Sequence, residues 1–495
     1  MDASSPGRRL KAAAALFPAA LTLALLGLSL LRNDATWWRV AYGRLISAWG
    51  RIPDRELLLF TAPENTTWVD SSWLASVALF ELHDLGGVEL NLVVRSALVA
   101  LSVALAGYGV ASRSPRPAAV LNLVWLALPA ALWLSPPGPE TLALPVATAA
   151  LVAAMGPLSG RRLSLLPVLV VAAAPWLVLH LSVPIALTLI ATSLCLAALA
   201  LKQGQRLLAA LAAAALLAPL SSPLGFGVLL HLLQNPALPT LAPTPLTVAL
   251  ALSTGLLAIL LRARTGGLAP LLRTGEALPA ILLTLWALSF PALIPLQHLA
   301  LVMLLAPALT PPAALTLRRP NRALALAILI LGAAVLTQHA LPWHADLTTR
   351  LHPDARQAIP FRGVLSEHTP LACGEVLRRS GKELRVLNDP ALAGYLSYAL
   401  WRPERIAPLL YADTRGLSEP GFVELLNLMR DQPIARGVAQ QEKINAVVLR
   451  PAHFPSAFDE FERDPTWALI AGDADQPVAC FLKAAPVAPG TWAMP

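Results

Sequence analysis

The chain has 495 residues, of which 56% are hydrophobic and 13% charged, and its mean hydropathy is +0.62. In soluble domains about a quarter of the residues are charged, so this composition excludes a cytosolic enzyme, a disordered chain and a disulfide-rich secreted scaffold. The formal charge of +8 comes from residues 1–342, which hold 21 Lys and Arg against 11 Asp and Glu, whereas residues 343–495 hold 16 against 18. Because the basic residues stand in short clusters between apolar runs, they indicate membrane topology and no nucleic-acid partner.

Apolar runs that can cross a bilayer, each of about 17 to 25 residues, are the main feature of residues 1–342. About eleven candidates, some short or broken by proline, lie near 12–31, 90–112, 117–135, 141–157, 163–181, 184–201, 207–220, 245–262, 277–293, 298–314 and 323–342. Every second connection is basic and together these hold 15 of the 21 Lys and Arg residues. The positive-inside rule then predicts a cytoplasmic N-terminus and an extracytoplasmic tail. The first run also resembles a signal peptide, but no clear small-x-small cleavage site follows it.

One long outer connection, residues 32–89, holds eight of the eleven acidic residues of the membrane half. Within residues 34–50, tryptophans and aliphatic side chains recur at helical spacing beside arginines, which predicts an amphipathic helix at the bilayer surface. Residues 71–84 predict a second surface helix, because another span there would invert every later connection. We therefore assign residues 1–342, with this loop, to one transmembrane domain.

The composition changes near Trp343, and residues 343–495 predict a small extracytoplasmic α/β domain with a partly parallel sheet. Short apolar runs begin at residues 385, 406, 446, 467 and 478, and helical patterns cover 391–401, 417–430, 433–443 and 455–463. Cys373 and Cys480 can pair if this domain lies outside the cytoplasm. Since the chain has no CxxC pair, a zinc site or redox motif is not expected.

Asp34 is the most informative polar residue, because it follows the first apolar run and precedes the Trp37-Trp38 pair at the predicted outer surface. A carboxylate at the membrane boundary can reach the bond between the headgroup and the phosphate of a lipid-linked substrate, and can deprotonate an acceptor hydroxyl. Aspartate is equally favoured as the N-terminal cap of a helix. The two roles are compatible with each other.

The same stretch resembles the first outer loop of bacterial GT-C-type membrane glycosyltransferase-like proteins. The resemblance lies in Asp34-x-x-Trp37-Trp38-Arg39, Gly43, Ile46, Gly50-x-Ile52-Pro53, Phe60-Thr61 and Trp68-Val-Asp70-Ser-Ser72-Trp73-Leu74. Further matches follow in order at Pro175 to His180, Pro219 to Gly225, Val386 to Asp389, Gly394 to Leu396 and Asp413 to Arg415.

This resemblance implies a polytopic helical membrane protein of about eleven spans with a C-terminal α/β domain. It further implies an inverting sugar transfer from a polyprenyl-phosphate donor outside the bacterial inner membrane, with Asp34 as general base. Ser72, Arg39 and Ser222 stand where the family often has a glutamate, a histidine and an asparagine. These departures favour a rival function, a non-catalytic scaffold with the same fold. A lipid or solute transporter is the second rival, although few intramembrane charges follow Arg95.

Three further candidates lie in or next to predicted spans. Arg95 stands within a span, where a charge costs about 2.5 to 3.5 kcal/mol and requires a partner. It can hold the donor phosphate, pair with a nearby acid of the outer loop, or extend to the membrane surface. His180 and His298 lie at outer ends of spans, where an imidazole can contact a phosphate or an acceptor, or be satisfied by its neighbours.

Two carboxylates of the outer face complete the set of candidates. Glu140 is the only acidic residue between positions 96 and 275, and it can bind a divalent metal, orient the base beside Asp34, or cap the next span. Asp70 has the same alternatives. The tryptophans of the loop are typical of an aromatic belt and also suit a platform for a sugar ring. Asp70, Arg95, Glu140, His180, His298 and Arg39 are therefore the candidates for binding the donor or the acceptor.

Overall fold

The computed structural model describes residues 19–20, 34–64, 66, 68–113, 138–158, 162–227, 278–289, 296–297, 300, 369–380, 383–401, 409–413, 418–472 and 477–483. The chain divides into two units. The helical unit consists of Met1–Leu30, Ser71–Ala75 and Leu82–Val364. The sheet unit consists of Leu31–Asp70, Ser76–Glu81 and Leu365–Pro495. Much of the predicted outer loop thus clusters with the C-terminal part of the chain.

Apolar helices dominate the described part of the helical unit. They are α2 (Trp73–Arg113, of which Ser76–Glu81 belongs to the sheet unit), α3 (Pro139–Leu158), α4 (Leu165–Val178), α5 (Val183–Lys202), α6 (Arg206–Ala213), which continues as a 3-10 helix over Ala214–Ser221, and α7 (Leu278–Ser289). Within the described residues, α2, α3 and α5 are long and apolar enough to cross a membrane. The chain therefore has the helices of a membrane protein, whereas a bundle of about eleven spans stays a prediction.

The predicted spans at 90–112, 141–157 and 184–201 coincide with helices of sufficient length. Those at 163–181, 207–220 and 277–293 coincide with shorter helical segments. Those near 117–135, 245–262 and 323–342 lie outside the described residues, as do nearly all of 12–31 and 298–314.

Polar side chains inside these apolar helices bond to backbone carbonyls, as an apolar surrounding requires. Thr148 and Thr192 each donate at 2.8 Å to the carbonyl four residues earlier in their own helix. Ser193 of α5 donates at 2.8 Å to the carbonyl of Ala212 in α6. This last bond joins two neighbouring helices where small residues allow close approach.

The outer loop contains the two predicted helices. Helix α1 (Asp34–Trp49) matches the first, and the second, at residues 71–84, is the beginning of α2. Helix α2 bends at Gly86 and Gly87, whose backbone angles are not helical. Gly87 has φ 68°, a left-handed conformation that glycine adopts without a Cβ penalty. The bend separates the predicted surface helix from the predicted span at 90–112.

The sheet unit is built on four strands in the order β1 (Val386–Asn388), β2 (Ala446–Leu449), β4 (Ala479–Lys483) and β3 (Trp467–Ala471). Strands β1 and β2 are parallel, and the other two pairs are antiparallel. Leu410 extends the parallel side through parallel bridges to Val386 and to Leu59. A predicted partly parallel sheet is confirmed, and residues of the outer loop join it.

The sheet unit also contains helices, four of them at the positions that the sequence predicts and one, at residues 371–379, where it predicts none. They are α8 (Leu371–Arg379), α9 (Ala393–Leu400), α10 (Pro420–Asp431), α11 (Ala435–Gln441) and α12 (Pro455–Glu462), with a 3-10 turn at Pro390–Leu392. The apolar faces of α10, α11 and α12 enclose a core in which Phe461 contacts both Trp467 of β3 and Phe481 of β4. Cys373 of α8 and Cys480 of β4 form a disulfide, with their Cα atoms 5.8 Å apart.

Candidate functional site

Asp34 is the first residue of α1, the helix that the sequence predicts at residues 34–50. The environment of its side chain lies outside the described residues. The helix that follows is firmly held, because Trp37 and Trp38 are each only 5% exposed. The predicted position of these tryptophans at the lipid surface is wrong, since protein covers both side chains.

Helix α9 covers the side chain of Trp37. The Trp37 ring meets the Tyr395 ring edge-on at 5.0 Å and stacks on the Tyr398 ring at 5.4 Å. Such aromatic pairs contribute about 0.5–1.5 kcal/mol each beyond the area that they bury. Arg44, two turns further along α1, donates to the carbonyl of Tyr398 at 3.2 Å and lies over the ring of Trp401. Helix α1 is thus fixed against α9 along its length.

Arg39 and Asp70, two of the predicted site residues, form an ion pair with an N–O distance of 2.5 Å. The Asp70 side chain is only 3% exposed and that of Arg39 is 14% exposed. Ser76 donates to the second carboxylate oxygen of Asp70 at 2.5 Å. Both oxygens of Asp70 therefore have partners from protein, which ties α1 to the beginning of α2.

The remaining predicted site residues belong to the helical unit. Arg95 is buried within α2, and Glu140 stands half-buried in the first turn of α3, where a carboxylate suits the helix N-terminus. His180 lies in the turn between α4 and α5, where its Nδ1 accepts from the indole of Trp73 at 3.1 Å. His298 lies outside the described residues. Among the predicted site residues whose side chains the structure describes, Arg39 and Asp70 are joined in an ion pair.

A second polar cluster lies at the carboxyl ends of β1 and β2. Asp389 directly follows β1 and accepts two hydrogen bonds from Arg450, which directly follows β2, at 2.6 and 3.1 Å. It also caps the 3-10 turn through the amide of Ala391 at 3.0 Å. Asn388 accepts from the amide of Tyr411 and donates to the carbonyl of Ala412. These bonds hold the ends of the parallel strands together.

The next polar residues along this edge also bond within the protein. Thr61 donates to the carbonyl of Tyr411 and contacts the hydroxyl of Ser418 at 2.9 Å. Burial raises the pKa of Tyr411 far above its usual range, and its hydroxyl donates to the carbonyl of Phe422. The resemblance quoted at residues 386–389 thus falls on groups that organise the sheet edge.

The opposite, amino edge of the parallel strands opens into a cleft of about 750 Å³. Its walls come from residues 55–64 of the outer loop and from the segments that precede β1 and β2. Polar and charged side chains at its rim are Arg55, Glu56, Glu64, Glu383, Arg385, Lys443 and Asn445. The sequence does not predict this cleft, because three stretches far apart in the chain form it.

Within the part of the chain that the structure describes, no group of three or more His, Cys, Asp or Glu side chains is arranged to hold a metal ion. The sequence patterns do not select three residues that hold these elements together: Arg450, Ser76 and Tyr398. A charged residue directly after an apolar run was the available signal for Arg450.

No protein-family model matches the chain, and a search of curated proteins finds no significant relative.

Proposed function

We propose that this chain is a membrane glycosyltransferase that moves a sugar from a polyprenyl-phosphate donor to an acceptor outside the cytoplasmic membrane. The observation that carries the proposal is the anchoring of α1, whose first residue is Asp34 and whose first turns pack through Trp37 on Tyr395 and Tyr398. A catalytic carboxylate must be held within a fraction of an ångström of its working position, so a rigid supporting helix is the necessary condition.

The sidedness of the sheet unit supports an outer-surface reaction. Residues 31–70 and 365–495 belong to this one unit, so both stretches lie in the same compartment. The disulfide between Cys373 and Cys480 favours an oxidising compartment. The basic connections of the membrane half favour the same orientation, since the positive-inside rule puts them on the cytoplasmic side.

The proposed reaction needs one proton acceptor and one leaving group. Asp34 takes the proton of an acceptor hydroxyl, and the acceptor oxygen forms a bond to the anomeric carbon of the donor sugar. The bond between the anomeric carbon and the phosphate oxygen breaks, and polyprenyl phosphate leaves with the electron pair. Attack from the side opposite the phosphate inverts the anomeric configuration. Cationic side chains are suited to hold the donor phosphate before and after the transfer.

A non-catalytic scaffold is the second candidate, and one observation favours it. Asp70, the second carboxylate of the resembling loop, is buried in an ion pair with Arg39 and a hydrogen bond from Ser76. A carboxylate in this state serves to join α1 to α2. If Asp34 also acts only as a cap, neither of these two carboxylates serves as a base, and the chain holds other envelope proteins together.

The two functions are separated by turnover in reconstituted membranes. Purified protein in lipid vesicles is mixed with a panel of polyprenyl-phosphate sugars and acceptors, and release of polyprenyl phosphate is measured. Asp34→Asn should slow release by about 10² to 10⁴-fold, the usual contribution of a general base. Asp54→Asn, an exposed aspartate of the same segment, is the matched control and should keep full turnover. Turnover unchanged by Asp34→Asn would remove Asp34 from the mechanism, and no turnover with any donor would favour the scaffold.

A further inference from the structure

The cleft at the amino edge of the parallel strands is wholly formed by the sheet unit, so its chemistry can be read from that unit alone. Its volume of about 750 Å³ falls within the roughly 300–1,000 Å³ typical of small-molecule sites. The half-buried ring of Phe60 and the neighbouring leucines supply apolar surface. Charged side chains surround that surface, as in sites that orient a polar ligand.

The charges of the cleft balance, with three basic and three acidic side chains. Glu56 is already committed, because it accepts from the amides of Leu58 and Leu59 at 2.8 and 3.2 Å and from the hydroxyl of Tyr42 at 3.0 Å. Its role is to shape the wall of the cleft.

Arg385 is also committed. Its guanidinium lies over the ring of Phe60, 3.9 Å from the ring centre, and pairs with Glu442 at 3.4 Å. The exposed side chains that remain at the rim are two cations, Arg55 and Lys443, and two carboxylates, Glu64 and Glu383.

Equal numbers of cationic and carboxylate side chains at the rim suit one class of ligand best. A phosphate or a polyanion would bring its charge next to two carboxylates, and a polycation would meet two basic groups. A neutral ligand rich in hydroxyls can instead donate to the carboxylates and accept from the cations. Saccharides have this combination of groups.

We propose that the cleft binds a neutral saccharide of one to a few units. Its role as the acceptor of the transfer rests on the proposed function, whereas the binding itself does not. Growing chains on the outer surface would be held by the sheet unit on the side of the membrane where the sugar is added.

The structure provides conservative variants for the test. Glu383→Gln removes one rim carboxylate and keeps its shape. Lys443 has φ 53°, a conformation that asparagine adopts readily, so Lys443→Asn removes the charge without backbone strain. Glu424→Gln, at an exposed position of α10 outside the cleft, is the matched control.

Binding is measured by saturation-transfer NMR and titration calorimetry on the full chain in lipid nanodiscs, with neutral trisaccharides of glucose, mannose and galactose as probes and a trisaccharide of glucuronic acid as the charged comparison. We expect at least one neutral probe to bind, and each cleft variant to weaken it by about tenfold, the loss of one charge-assisted hydrogen bond. The control should bind as the unchanged protein does.

Three results would overturn the inference: no binding of any neutral probe, equal binding by the cleft variants and the control, or stronger binding of the glucuronic acid probe. Because no donor is present, the outcome is independent of catalysis. Saccharide binding in a protein without turnover would refute the proposed transfer and leave the saccharide site standing. Turnover with no saccharide bound in the cleft would refute the saccharide site and leave the proposed transfer standing.

Discussion

Gly43 offers the sharpest test of how α1 is held. It lies inside α1, and a Cβ built on it would come within 2.6 Å of the Ser76 carbonyl carbon and 2.7 Å of the Phe80 Cβ. Real Cβ contacts essentially never fall below 3.0 Å. One of the two atoms belongs to the backbone, so a side-chain rotation cannot relieve the clash. Gly43→Ala therefore forces α1 away from the beginning of α2.

The expected cost follows from two opposing terms. Alanine is better than glycine inside a helix by about 0.5–1 kcal/mol. Overpacking of a filled interface costs about 1–3 kcal/mol, and here the displacement also disturbs the hydrogen bond from Ser76 to Asp70. We expect Gly43→Ala to lower the free energy of unfolding by about 1–2 kcal/mol, or the melting temperature by roughly 2–4 °C for each kcal/mol.

Thermal unfolding in detergent, followed by tryptophan fluorescence, measures this loss. Gly437→Ala is the matched control, because Gly437 lies inside α11 and no described atom is within 4 Å of its Cβ position. The control should gain about 0.5–1 kcal/mol from helix propensity alone. If Gly43→Ala melts as high as Gly437→Ala, the close contact between α1 and the beginning of α2 does not exist.

Three further predictions concern the sheet unit. Arg39→Gln removes the cation that pairs with the buried Asp70 and should lower the free energy of unfolding by about 3–5 kcal/mol in denaturant titrations. An effect below about 1 kcal/mol would match an exposed pair and contradict the burial. Cys373→Ser should lower the free energy of unfolding by about 2–4 kcal/mol, and a reductant should lower the melting temperature of the unchanged protein but not of this variant. Thiol labelling checks the bond, because Cys480 of the unchanged protein should react with the label only after reduction. Burial raises the pKa of Tyr395 from 10.0 to about 12. The stabilisation that the neutral side chain contributes is therefore complete below pH 10 and is lost as the pH rises toward 12. In melting curves at alkaline pH, Tyr395→Phe should show a smaller decline than the unchanged protein.

Local sequence patterns predicted the elements of the C-terminal part well. Each of the four strands begins within one or two residues of a predicted apolar run, and each of the four predicted helices there is present. The reason is physical, because period and apolar content along a short stretch decide whether it forms a strand or a helix. Helix α1 was predicted for the same reason.

Those local patterns could not predict contacts between stretches that lie far apart in the chain. Trp37 is typical of a membrane belt in sequence, but Tyr395 and Tyr398 cover it from more than 350 residues away. Leu59 joins the sheet only through Leu410, which itself pairs with β1. No periodicity within the outer loop contains information about these partners, so the loop was assigned to the membrane half.

The acids differ in role: Asp70 and Asp389 form ion pairs that stabilise the fold, whereas the proposed mechanism depends on Asp34. Asp70 keeps Arg39 in place, and Asp389 keeps Arg450 in place, so either carboxylate would have to break an ion pair before it could take a proton from an acceptor. The cost of leaving the partner cation buried and unpaired opposes that step. Asp34 alone among these three directly follows the first apolar run, which the sequence predicts to cross the membrane. The sheet unit therefore serves the proposed reaction by holding α1 still, and substitution of Asp34 separates catalysis from folding more cleanly than substitution of either paired acid.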